Sequence, residues 1–389
     1  MQPKAARNIP IEALRLVAVA GIAVFHTFQW TFQATCVGAV EYAPLAMFPY
    51  SGVLGFINLL GCWANEVFFM ISGYFLIASA ARAWDGGATW KSQMQRTAQR
   101  LGKVILPTTF YCLVAFVWST VVSPIPDVTL NTHYWYTLGL EFIWVYAATV
   151  FMAPWFGLAK NRLSQKSYTA MVIAVSILVF VFNGYLAAMS TISAGEFSWL
   201  QKLMSAVTYV IAFLIGGLLR DVTEVMDSDR AGALGMRSLV TVLVLTIILE
   251  GALSFTDNLT AMAVLSYKST SLISFALAAA SLLFAATRRS ASGNPRAAGT
   301  IVTLSTATLG FYVMQSLTSS LWRPVLNTLL ANILVSQNSP AAICIVTGTV
   351  ISIVFALTLL TIDATRSFIA RKPKRQKTRC RQTLKPLQP

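Results

Sequence analysis

Apolar runs alternate along this chain with short, polar, mostly basic connections. The runs lie near 9–30, 60–81, 104–122, 134–156, 168–189, 203–219, 238–256, 269–287, 300–321 and 341–362. Each is close to the ~20 residues a helix needs to cross a bilayer. The pattern predicts an all-α polytopic membrane protein of about ten spans. The run from Val53 to Ala81 is too long for one simple span, so its start is expected to be a separate re-entrant or interfacial piece. The longest connections are an outer one around 31–59 and an inner one around 82–103, with further outer loops around 123–133 and 322–340. In the inner one, RAWDGGATWKSQMQRTAQRLGK sets Trp90, Met94 and Leu101 among basic residues, as a surface helix leading into the third span would.

Composition agrees. The chain is 56% hydrophobic and only 11% charged, with a mean hydropathy of +0.66, whereas a soluble domain carries about 25% charged residues. The net charge of +15 would suit nucleic acid, but the basic residues sit between spans and form no aromatic-interleaved groove, which argues against that partner. Nearly all the Lys and Arg residues fall on the side of the N-terminus. Lys202, Lys268 and Arg323 lie outside, and Arg15 is within the first span. Both termini are therefore expected in the cytoplasm. Residues 1–365 form the membrane unit, and 366–389 a basic tail without a fold of its own, drawn to anionic headgroups. No small-residue cleavage site follows the first apolar run, which is expected to stay as a span. The five cysteines form no CxxC and the two histidines no cluster, so no metal is expected. A Cys36–Cys62 bridge stays open.

The first span holds the most informative chemistry. IPIEALRLVAVAGIAVFHTFQW carries Glu12, Arg15 and His26 in a segment that otherwise reads as lipid-embedded, and ionisable groups at that depth are functional candidates. Glu12 and Arg15 are neighbours at i and i+3 and are expected to form a structural pair. Eleven residues at 100° each return His26 to within about 20° of Arg15, some 16 Å further along the axis. The bland alternative is a core imidazole bonded to a carbonyl. A neutral imidazole is also the usual general base for a hydroxyl, and a carboxylate beside it would orient it. Glu66, early in the second span, is the candidate for that. Arg96, Arg100 and Lys103 precede Pro107, where they would clamp phosphates or snorkel to headgroups. His133, Trp135, Tyr136 and Glu141 enter the fourth span from outside, as aromatic-belt residues or as a sugar platform with a carboxylate.

These stretches, in this order, resemble the acyltransferase-3 family of integral membrane O-acyltransferases. The likeness rests on Leu14-Arg15, ten further residues and His26; on FFMISGYFL; on Arg100, Lys103 and Val-Ile-Leu-Pro107 with Tyr111; on HYWY with Tyr146 and Pro154; and on LGFYVMQ near the end. It covers essentially the whole chain. The resemblance implies that His26 is catalytic with Arg15 as its companion, and that Arg100 and Lys103 face coenzyme A phosphates. Three positions depart from the family: Glu12 stands for the usual Asp, Lys103 for a second Arg, and Gln315 where many members have His.

The implied activity moves an acyl group, usually acetyl, from cytoplasmic acyl-CoA to a hydroxyl of an envelope glycan or lipid-linked sugar, across a bacterial cytoplasmic membrane. Some members carry an extra extracytoplasmic domain, which this chain is expected to lack, acting alone, as a homo-oligomer or with a partner subunit. The same intramembrane His, Arg and Glu would equally serve a proton-coupled transporter or flippase of envelope precursors, although no inverted repeat is visible.

Overall fold

The computed structural model describes residues 8–126, 128, 139–192, 198–266, 270–288, 294–336 and 340–371. His133, Trp135, Tyr136 and most of the basic tail lie outside the described residues. Within them the chain is helical throughout: α1 (Ile9–Cys36), a 3-10 turn (Val40–Tyr42), α2 (Ala43–Ala46), α3 (Tyr50–Asp85), α4 (Trp90–Val121), α5 (Glu141–Arg162), α6 (Gln165–Ile192), α7 (Ser198–Val225), α8 (Ser228–Phe255), α9 (Leu259–Leu265), α10 (Leu272–Thr287), α11 (Pro295–Ser305), α12 (Thr308–Leu317), α13 (Ser319–Ser336) and α14 (Pro340–Arg371). Eight helices are long and apolar enough to cross a membrane, and α11 with α12, bent by 43° where they meet, make a ninth. The remaining expected span is α10, whose 16 residues reach only about 24 Å at the helical rise.

Helix starts follow local signals. The Asn8 side chain accepts from the Ile11 amide at 3.3 Å, with Pro10 in the first turn of α1, and the Thr89 hydroxyl accepts from the Ser92 amide at 3.3 Å to start α4.

At the centre stands α3, a single helix of 36 residues packed against α1, α5, α7, α8 and α10. This corrects the expectation of a separate piece at its start. Its glycines are points of close approach, not breaks. A Cβ at Gly61 would run into the Phe25 ring of α1, and one at Gly73 into the Phe213 carbonyl of α7. Helices in lipid gain little from the hydrophobic effect between them, so small residues that admit a neighbour's backbone stabilise the contact.

Two connections also differ from expectation. The inner stretch 82–103 is no surface helix with loops, because α3 runs to Asp85 and α4 starts at Trp90 as one 32-residue helix. Trp84 donates to the Pro154 carbonyl at 3.0 Å and Gln93 to the Ala80 carbonyl at 3.2 Å. These bonds tie α3, α4 and α5 together so tightly that only a short turn is needed. The outer stretch after 322 is mostly α13, which brings Arg323 back over the bundle. Cys36 and Cys62 are not bridged; their thiols point to the carbonyls of Leu259 and Ser266.

The two ends of the bundle differ in charge. One, called the basic end below, gathers Arg82, Lys160, Arg220 and Arg366, with Lys160 paired to Asp221 and Arg220 to Glu224. Near it Tyr111 donates to Asp363 at 2.6 Å and Arg366 to the same oxygen at 2.7 Å, locking α4 to α14.

Candidate active site

One face of α1 runs through three adjoining cavities. Arg15, Val19, Ile22, His26, Gln29 and Gln33 recur every three or four residues and so share that face. Arg15, Val19 and Ile22 line a cavity of about 350 Å³ toward the basic end. Gln29 lines a second of about 400 Å³, and His26, Gln29 and Gln33 line a third of about 150 Å³ with Arg323. The first two share Phe142 and Tyr312 as a wall. Those rings lie 4.7 Å apart and tilted, an aromatic partition across the middle of the path.

The basic-end cavity is cationic. Arg15 and Lys103 both line it, and Arg15 is held by Glu12 at 2.9 Å. Pro107 lacks the amide that would bond the Lys103 carbonyl, which loosens α4 at the cavity. The break between α11 and α12 falls here too, with Ser305, Thr306 and Thr308 in the wall. The end of α11 and the start of α12 meet at this break, so their opposite dipole ends offset and the cavity's charge comes from the two cations. Ser72 and Tyr146, 3.0 Å apart, complete the polar lining. This set suits an anionic, hydrogen-bonding ligand. Arg100 donates to Ser79 at 3.1 Å, and Arg96 lies close beside it one helical turn away. Both continue the α4 face of Lys103 and are absent from the cavity wall itself.

Beyond the partition, the middle cavity joins Glu141, at the start of α5, to Asn65, Lys202 and Tyr209. Asn65 donates to the Tyr209 hydroxyl at 3.1 Å. Phe25, Phe142 and Tyr312 supply flat apolar faces. Next to it, the His26 ring meets Arg323, whose Nη2 stands 3.0 Å from Nδ1, with Gln29 lining the same small cavity. Arg323 is close to Tyr312 as well.

Of the residues singled out in the sequence, the structure thus gathers Arg15 with Lys103, Glu12 with Arg15, and His26 with the cavity beside Glu141. It does not bring Glu66 to His26. Glu66 is fully buried with its carboxyl against Ser274 of α10. Asn65 faces the cavity, and the next residue is turned 100° further round the helix into the seam with α10. Gln315 is buried in α12 with its amide nitrogen unpartnered among the described residues.

Arg323, Asn65 and Lys202 were missed as site residues. For two of them a signal existed: Lys202 and Arg323 are exceptions to the basic-inside distribution, and both line these cavities.

A multi-span helical bundle with titratable groups around internal cavities defines a membrane enzyme or a membrane carrier. A family model described as an acyltransferase domain matches residues 8–359. The chain belongs to that family, and it is a membrane acyltransferase. Neither the curated proteins nor the solved structures contain a match to it.

Proposed function

We propose that this acyltransferase takes an acyl group, acetyl being the family's commonest, from acyl-CoA and places it on a hydroxyl of an envelope saccharide or lipid-linked sugar. The basic end is cytoplasmic in this reading, the membrane being a bacterial cytoplasmic one. The phosphates of CoA bind where Arg96, Arg100 and Lys103 line up on α4, and the pantetheine arm enters the cavity of Arg15. The thioester passes the Phe142–Tyr312 partition to reach His26. The saccharide enters from the far end, against Glu141, Lys202 and Asn65, with the rings of Phe25 and Tyr209 as stacking surfaces; His133, Trp135 and Tyr136 are further candidates to bind it. His26 accepts the hydroxyl proton as the oxygen attacks the thioester carbon, the C–S bond breaks, and the proton passes to the departing thiolate. A relay through an acyl-imidazole uses the same atoms.

The observation that carries this reading is the single face of α1 that sets Arg15 in a cationic cavity at one end and His26, Gln29 and Gln33 beside a hydroxyl- and amide-lined one at the other. The test is reconstitution in proteoliposomes with acetyl-CoA, following CoA thiol release. Release that depends on added envelope saccharide, with a matching acetyl mass gain on the sugar, is expected. Saccharide uptake without acyl-CoA would instead favour a carrier.

A further inference from the structure

The contact between Arg323 and His26 determines which nitrogen of the ring works. A guanidinium is permanently charged and has only donors. Its Nη2 stands 3.0 Å from Nδ1, so Nδ1 must hold the lone pair and the single ring proton must sit on Nε2. The only atom of His26 that can take a proton is then the one Arg323 covers. Both groups line the same small cavity, with Gln29, Gln33 and Asn327 around them.

We propose that Arg323 is a positioning residue that keeps His26 in the Nε2–H form and caps its basic nitrogen until the acceptor arrives. This rests on the acyl-transfer reading above. A saccharide hydroxyl entering the cavity displaces the guanidinium from Nδ1, and the freed guanidinium hydrogen-bonds to neighbouring hydroxyls of the sugar. The hydroxyl oxygen then bonds to the acyl carbon, the C–S bond breaks, and Nδ1 carries the proton to the thiolate. With the cap in place Nδ1 is occupied and cannot accept a proton from a water, and a sugar offers the freed guanidinium several acceptors at once, so the thioester is spared hydrolysis while it waits. Arg323 thereby couples thioester cleavage to the presence of the right acceptor.

The tautomer is read directly by ¹⁵N NMR of histidine-labelled protein in lipid nanodiscs. The chain has only two histidines, and a His133→Gln sample assigns the signals. The wild type is expected to show His26 unprotonated at Nδ1 and protonated at Nε2. A protonated Nδ1 would overturn the proposal whatever the enzyme's activity, and would leave the acyl-transfer reading standing. The functional arm compares CoA release without acceptor to acetyl transfer with it. Arg323→Ala is expected to raise the ratio of hydrolysis to transfer about tenfold, the worth of one charged hydrogen bond, and Arg323→Lys, which keeps a cationic donor, to restore it. A loss of both activities in equal proportion, with an unchanged ratio, would mean that Arg323 only supports the fold. Absence of thioester cleavage in the wild type even with acceptor present would count against the acyl-transfer reading itself.

Discussion

Two helices of this bundle, α1 and α3, look alike in sequence and do opposite work. Both are long and apolar, and each carries ionisable groups deep within. Yet 72% of the most apolar stretch of α3 is buried in the bundle, against 44% of that of α1. Small residues let α3 be gripped from every side, with Gly61 against Phe25 and Gly73 against Phe213. Although α3 lends Ser72 and Asn65 to the cavity walls, its carboxylate Glu66 is turned away from them, whereas the cavity face of α1 carries its ionisable groups, Arg15 and His26. Glu66 and His26 are both titratable groups inside an apolar helix, but only His26 adjoins a space a substrate can fill. In the proposed mechanism it is access, more than depth or charge, that sets His26 apart from Glu66.

Substitutions at four positions sharpen or break that contrast. The largest effect is expected from His26→Ala, which should lower acetyl transfer by about 10²–10⁴-fold, the usual worth of a positioned acid–base group, with normal membrane levels on a blot. Next, Arg15→Ala should lower kcat/KM for acyl-CoA by roughly 10–100-fold, as loss of a charged hydrogen bond to the donor implies. Arg15→Lys should recover part of that loss, and a KM for the saccharide that moves instead would place Arg15 on the other substrate. On α3 the cost should fall on the fold: Gly73→Val, forced against the Phe213 carbonyl, should lose about 1–3 kcal/mol of stability by overpacking, seen as a lower Tm in detergent. Smallest of all, Glu66→Gln should leave turnover within a few-fold of wild type. A loss as deep as that of His26→Ala would show that the seam with α10 opens and that the contrast between the two helices is false.

How much of this was legible follows from what periodicity can encode. Run length and basic-residue placement sufficed for the helical membrane class, and the ordered motifs for the family. The α1 stripe was legible because 3.6 residues per turn puts Arg15 and His26 on one face whatever surrounds them. What packs opposite that face is a matter of tertiary contact. Arg323 sits 297 positions from His26 in the chain and reaches it only because α13 folds back over the bundle, in a stretch expected to be an outer loop. Glu66 failed for a local reason, one residue's rotation past Asn65. The continuity of α3 was hidden because its glycines resemble breaks until their neighbours are known.

The most direct test of a thioester delivered from the basic end to His26 uses sealed vesicles of one orientation. Membrane-impermeant acetyl-CoA is confined to the side of the basic end and the saccharide to the other, and acetylated saccharide is measured by mass spectrometry. The wild type should form product only in this arrangement, and His26→Ala should form essentially none. Equal product from the two proteins, or product only when the donor is moved to the far side, would contradict the account.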